Sequence, residues 1–334
     1  MKTIYLVTGA AGYLGGEVCR QLVARGLQGR ALVLPGDKTA QYIPKQIEQC
    51  VGDLCDTASL EKFFQVEPDT ETIVLHCASM VALGNERREL VMKVNVQGTQ
   101  NIIDQCFAHK ECKKLIYVGS TGSIPELPHG QRMKEPAQFV QEESLGVYGQ
   151  SKAMASQRVL NAAKSGLNAC IVMPSGILGP GDAACGPVTS GLLMQMRGEV
   201  SVGLKGTFNL CDVRDLANGI FLAVEKGKAG ESYILANEIV TYPEFATLTA
   251  QEGHCKKAHV LSAEGCCQFC GGFLEKRPKK SGKKPALTRY EIYNLARNNE
   301  FDSTKARQEL GYTSRPYRET IHDEIAWLKQ THKI

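Results

Sequence analysis

Gly9, Gly12 and Gly15 recur at three-residue intervals in the run Thr8–Gly16, TGAAGYLGG. That spacing can bring backbone amides against a pyrophosphate. Gly9 permits a tight turn, Gly12 lets amides approach the phosphates, and Gly15 lets the next helix pack close to its strand, with its positive N-terminus on the ligand. A glycine triplet also arises from ordinary turns, so its context carries the argument. A second constellation is Tyr148 and Lys152. Residues four apart on a helix share a face. The pair equally describes a solvated helical face until its place is considered, just after a strand whose end carries Ser120 and Thr121. A third is Cys255, Cys266, Cys267 and Cys270 beside His254. A structural zinc site uses paired hooks, and only Cys267 and Cys270 are paired, so a partly buried loop-to-helix segment is expected there and no metal.

The elements that must position these residues follow from periodicity. Ile4–Val7 is a short apolar run of strand type, and Leu14, Val18 and Leu22 then fall on one helical face. Arg30–Leu34 reads as the second strand, followed by Pro35, Gly36, Asp37 and Lys38. An acid near this point binds ribose hydroxyls and a cation accepts a 2′-phosphate. Asp37 therefore favours NAD and Lys38 would serve NADP, and both cofactors stay open. Val51–Leu54 reads as a short strand whose Asp53 could bond an adenine amino group or cap a turn. Thr72–Leu75 leads into the small residues Cys77, Ala78 and Ser79, which suit a flat ring. Helical periodicity then runs from Glu86 to about Phe107, with Asn95 inside it. A mid-helix Asn is mildly unfavourable, so a specific hydrogen bond is expected there. The fifth strand is Leu115–Val118.

Alternating strands and helices predict an α/β fold, a Rossmann-type doubly wound parallel sheet with a smaller C-terminal substrate-binding lobe. Gly9, Leu34, Asp53, Ala78 and Ser120 then all fall at the carboxyl ends of strands, where such sheets bind ligands. The expected division is a dinucleotide-binding domain over 1–173, with 207–236 returning to it, and a substrate lobe over 174–206 and 237–334.

The chain has 334 residues, 43% hydrophobic and 22% charged, with a net charge of +4. Such balance makes no case for nucleic acid, since the basic cluster Lys276–Lys284 is local and reads as an exposed loop. No apolar run reaches the roughly 20 residues of a membrane span, and the N-terminus enters a strand directly. A cytoplasmic protein is expected, its thirteen cysteines reduced and used as small hydrophobes.

Taken together, TGAAGYLG, Gly52-Asp53-Leu54, Val94–Thr99, Tyr148–Lys152, Pro174–Asp182, Cys211–Ala217 and Leu310-Gly311-Tyr312 resemble the extended short-chain dehydrogenase/reductase family, the NAD-dependent epimerase/dehydratase group. The resemblance implies that Tyr148 is the general acid that protonates a carbonyl oxygen as hydride arrives, or the base in reverse. Tyrosine titrates near 10, so reaching 7 needs about 4 kcal/mol in favour of phenolate, which one cation at roughly 4 Å nearly supplies. Lys152 would be that cation and would hold the nicotinamide ribose. Ser120, or Thr121 as the alternative hydroxyl, would bond the substrate oxygen, and Asn95 would hold a water or the lysine in a proton relay. The cofactor would meet Gly9, Gly12, Tyr13, Leu14, Gly15, Asp37, Lys38, Asp53, Leu54, Cys77, Ala78, Ser79, Tyr148, Lys152, Pro174 and Ile177.

Departures from the family narrow the reaction. Gly122-Ser123 stands where sugar-nucleotide dehydratases resemble one another in an Asp-Glu pair. Ser175 stands in the segment where epimerases commonly carry Asn, and Asn209–Asp212 lacks their diphosphate-gripping Arg. The look is nearest to the dihydroflavonol reductase and 3β-hydroxysteroid dehydrogenase branch. It implies a carbonyl/alcohol oxidoreductase acting on a largely apolar small molecule, with Ser79, Met80, Ile177 and Leu178 as pocket walls, and a homodimer built on the helices near Glu86 and Tyr148. A sugar-nucleotide epimerase and a non-catalytic NAD(P) sensor are the competing readings. Thr288, Arg289 and Tyr290 read as a lobe edge able to close over substrate.

Overall fold

Short apolar runs between glycine turns form strands buried on both faces, which is why they read as continuous rather than alternating. A computed structural model describes residues 2–82, 87–199, 202–204, 206–261, 293 and 295–333. The first half runs β1 (Lys2–Thr8), α1 (Tyr13–Ala24), β2 (Gln28–Val33), β3 (Glu48–Val51), α2 (Thr57–Phe64), β4 (Thr70–His76), α3 (Arg88–Met92), α4 (Gly98–Ala108), β5 (Cys112–Val118) and α5 (Gly146–Lys164). The second runs β6 (Ala169–Pro174), β7 (Gly176–Leu178), α6 (Pro187–Met196), β8 (Val202–Leu204), β9 (Thr207–Asp212), α7 (Val213–Lys226), β10 (Ser232–Leu235), β11 (Ile239–Thr241), α8 (Tyr242–Gly253), β12 (His259–Leu261) and α9 (Tyr317–Gln330).

Seven strands form one parallel sheet in the order β10-β6-β5-β4-β1-β2-β3. Thr8 is in register with His76, Val118 with Val172, and Pro174 with Leu235, so the strands end together on one rim. Val18 and Leu22 of α1 and Leu216 and Ile220 of α7 cover one face. Phe63, Ile102 and Val159 of α2, α4 and α5 cover the other. A smaller sheet, β11-β9-β7, and helices α6, α8 and α9 share a separate core that includes Leu178, Leu192, Phe245 and Ile321.

Several boundaries differ from those read in the sequence. β2 ends at Val33, leaving Leu34 52% exposed before Pro35. β3 ends at Val51, and Asp53 lies beyond it in a turn. α3 and α4 do form one helix, but a π-helical turn, Lys93–Gln97, joins them, with the Gly98 amide donating to the Lys93 carbonyl. Asn95 sits in that widened turn. Glu86, Cys266, Cys267, Cys270, Lys276–Lys284, Thr288, Arg289 and Tyr290 lie outside the described residues. At the β10 edge, the Ile234 amide donates to Glu135 Oε1 at 2.8 Å and the Ala236 amide to Ser303 Oγ at 3.2 Å. No helix among the described residues is long and apolar enough to cross a membrane.

Candidate active site

The glycine turn has no room for side chains. Gly9 takes φ +69°, and a Cβ there would lie 2.7 Å from the Ala78 backbone. A Cβ at Gly15 would collide with the Gly9 carbonyl. Gly12 is the N-cap of α1 and offers no side-chain hydrogen bond, so the first amides of the helix, from Tyr13, Leu14 and Gly15, lack a side-chain cap. Uncapped amides at a positive helix end fit a pyrophosphate. The Leu14 side chain itself belongs to the core.

The expected adenosine contacts sit on the same rim with part of their capacity in use. Asp37 Oδ1 accepts from the Thr39 amide at 2.8 Å and from its hydroxyl at 2.6 Å, with Lys38 between them, exposed. Asp53 Oδ1 accepts from the Cys55 amide at 2.8 Å, which is the turn role weighed in the sequence. Leu54 is buried, and its carbonyl accepts from Asn101 Nδ2 at 2.8 Å.

Gly149 explains how α5 reaches the loop after β5. A Cβ there would lie 2.7 Å from the Gly122 carbonyl, so glycine alone lets the helix carrying Tyr148 and Lys152 press onto the turn carrying Ser120 and Thr121. Ser120 Oγ accepts the Gly122 amide at 3.1 Å and keeps its own hydrogen to donate. Thr121 is 6% exposed. Lys152 is 2% exposed; its Nζ donates to the Val118 carbonyl at 2.7 Å and lies 4.9 Å over the Tyr117 ring. Burial lowers the ammonium's pKa to about 7, opposed by the Cys77 thiol, itself pushed up to about 12 by burial. Tyr148 is partly buried, and after burial its field is the next cause raising the Tyr117 phenol.

Asn95 makes the specific hydrogen bonds its mid-helix place demands. Its Oδ1 accepts from the Met80 amide at 2.7 Å and from Ser79 Oγ at 3.3 Å. Its Nδ2 donates to the Met80 carbonyl at 3.0 Å and to Ser151 Oγ at 2.9 Å. These bonds brace the loop after β4 against α5, while the ammonium of Lys152 is held by Val118. Sequence reasoning passed over Ser151, Gly149, Thr8, Thr99 and His76. Ser151 and Gly149 were visible inside Tyr148–Lys152, but only the fold shows what they face.

The lobe joins the glycine turn through Tyr13, whose hydroxyl donates to the Gly179 carbonyl. Burial and then the fields of Glu324, Asp182 and Asp212 push its phenol well up. Asp212 is fully buried and forked by Arg214, at 2.9 and 2.7 Å. Arg315 pairs with Asp215 at 2.8 Å. Glu324 on α9 is 0% exposed, and burial first, then Asp182, raises it to about 8. Pro174 closes β6 and Ile177 pairs with Cys211 in the smaller sheet. Leu178 is a core residue of the lobe, 0% exposed, because β7 turns that side chain inward; it is not the open pocket wall read from the sequence.

Comparison with known proteins places these features in context. Residues 5–236 match the model of the NAD dependent epimerase/dehydratase family. A Synechocystis sp. protein that carries the provisional name dihydroflavonol 4-reductase is 29% identical over 334 residues, covering 98% of this chain and 95% of its own. The sterol-4-alpha-carboxylate 3-dehydrogenase, decarboxylating, of Saccharomyces cerevisiae is 26% identical over 351 residues, covering 97% of each. Among solved structures, gox2253 superposes with a TM-score of 0.85 at 31% identity over 99% of both chains.

Proposed function

The chain belongs to the NAD-dependent epimerase/dehydratase family, and from that premise we propose that it interconverts a carbonyl and an alcohol on a largely apolar small molecule, with Tyr148 moving the proton. It is an NAD(P)-dependent oxidoreductase. The observation that carries the finer reading is the seating of α5. Gly149 brings the Tyr148 turn against Ser120, and Lys152 stands one turn further along with its ammonium buried.

The bound nicotinamide would supply or accept the hydride. Tyr148 would give its phenolic proton to the substrate oxygen during reduction and take it back during oxidation. Ser120 keeps a hydrogen to donate to that oxygen, and Thr121 is the neighbouring hydroxyl. Lys152, charged, would favour the phenolate by a few kcal/mol across a short distance. The uncapped start of α1 would hold the pyrophosphate, and Asp37, Lys38 and Asp53 would meet the adenosine half. A largely apolar substrate is supported by the names of the relatives, a dihydroflavonol 4-reductase and a sterol dehydrogenase.

The epimerase alternative gains nothing from β9. Phe208 there packs on Tyr242 and Phe245, and Asn209 is occupied by the Asn237 backbone on both sides of its amide. The test follows reduced-nicotinamide absorbance with NADH and NADPH against ketones, aldehydes, dihydroflavonols, 3-oxosteroids and UDP-sugars. Turnover with a free carbonyl compound, lost at least about a hundredfold in Tyr148→Phe, is expected from the loss of acid–base catalysis. Interconversion of a UDP-sugar without net cofactor consumption would sink the reading.

A further inference from the structure

His76, the last residue of β4, is 1% exposed and hydrogen-bonded at both ring nitrogens. Its Nδ1 lies 2.6 Å from Thr8 Oγ1 and its Nε2 3.0 Å from Thr99 Oγ1. The outer partners assign the protons on the Thr99 side of this chain. The Asn95 carbonyl can only accept, so Thr99 Oγ1, 2.6 Å away, donates to it. Thr99 Oγ1 must then accept from a protonated Nε2. At the other end the Ala78 amide donates to Thr8 Oγ1 at 3.2 Å, and in a neutral ring with Nε2 protonated the Thr8 hydrogen goes to a bare Nδ1. The bonds fix the proton on Nε2, and burial, which disfavours a second proton on the ring, leaves the neutral Nε2–H imidazole.

The points this chain ties together all touch the candidate site. Thr8 precedes Gly9, Ala78 is the backbone against which Gly9 is packed, and Asn95 lies in the π-turn that braces Met80 and Ser151 beside Lys152. π-turns within α-helices often mark functional positions. Here the π-turn's carbonyl at Asn95 is tied by Thr99 to the ring of His76.

We propose that His76 is a positioning residue: as a fixed neutral donor–acceptor it locks the glycine turn, the Cys77–Ser79 rim and the Asn95 brace in one mutual placement, on which alignment of the reacting groups depends. The proposal rests on the oxidoreductase reading for its kinetic part. Burial and the nearby Lys152 ammonium hold the imidazole pKa at about 3, so the chain of bonds does not switch in ordinary working conditions.

Two measurements test it. Long-range proton–nitrogen NMR of the imidazole should show a protonated Nε2 and a bare Nδ1, with no titration through the ordinary histidine range near 6.5. A charged ring or an Nδ1–H tautomer overturns the proposal whether or not a substrate is known. The second compares His76→Phe, which keeps a ring but no hydrogen bonds, with His76→Gln, whose amide offers one donor and one acceptor. Per folded molecule, kcat should fall at least about tenfold in His76→Phe with cofactor KM changed less than about threefold, and His76→Gln should recover most of it. Equal kcat in all three, or no recovery in a fully folded His76→Gln, overturns the role. If the wild type reduces no carbonyl compound, the oxidoreductase reading fails separately while the NMR result still decides the state of His76.

Discussion

Lys152 carries its charge at a cost. An unfolded chain holds that proton to about 10.4, and burial makes the folded chain release it near 7. Between these values the unfolded state binds more protons, so stability rises with pH across the window and is lowest below it. Lys152→Met removes the dependence. Its unfolding free energy relative to wild type should be greatest below about pH 7 and should shrink toward pH 10.4; urea titrations of the two proteins at both ends check this, and parallel curves would contradict it. At this scale the sequence was legible where a residue acts through its own backbone or its own helix. The tight turn at Gly9 and Gly15 and the shared helix of Tyr148 and Lys152 are of that kind, as placements in the fold. His76 and Thr99 were not, because a histidine closing an apolar run has the same appearance whether its ring is packed or bonded at both nitrogens.

Elements set the approach of α5 to the Ser120 turn, and one missing methyl sets the elements. In Gly149→Ala the added Cβ would meet the Gly122 carbonyl at 2.7 Å. Alanine gains about 1 kcal/mol of helix propensity over glycine, while overpacking costs about 1–3 kcal/mol. The expected outcome is a net loss of roughly 1 kcal/mol in stability, with turnover reduced at least about tenfold because the helix must back away from Ser120. Thermal melts and steady-state rates on the same samples read both. The sequence does show a continuous helix through Asn95 and its need for a partner. It does not show the π-turn, since the bonds that compensate it reach Met80 and Ser151, fifteen and fifty-six residues away.

Across the whole molecule, the lobe meets the glycine turn at a buried cluster of carboxyls. Asp182, Asp212 and Glu324 surround the Tyr13 phenol, which donates to Gly179. Glu324 has a folded pKa raised to about 8 from an ordinary 4.5. A raised carboxyl contributes stability in full below about 4.5 and loses it as pH climbs through 8. Glu324→Gln keeps the shape of the neutral acid without its ionisation. The variant should gain on wild type as pH rises from 4.5 to 8, measured by chemical denaturation; a constant difference would mean the carboxyl is already ionised in the folded protein. The alternation of elements gave away the parallel sheet and the rim. The junction between lobe and turn was hidden, because its members come from α1, the loop after β7, the start of α7 and α9, and only folding gathers them.

The side chains that stopper β10 come from distant parts of the chain. Glu135 is made early, but Ser303, which takes the Ala236 amide, is separated from β10 by nearly seventy residues. Until those residues leave the ribosome, the last strand of the sheet presents an amide awaiting its acceptor, and an open edge recruits other strands. A chain truncated between residues 236 and 303 is therefore expected to aggregate more than the full chain, and light scattering of the two at equal concentration checks it.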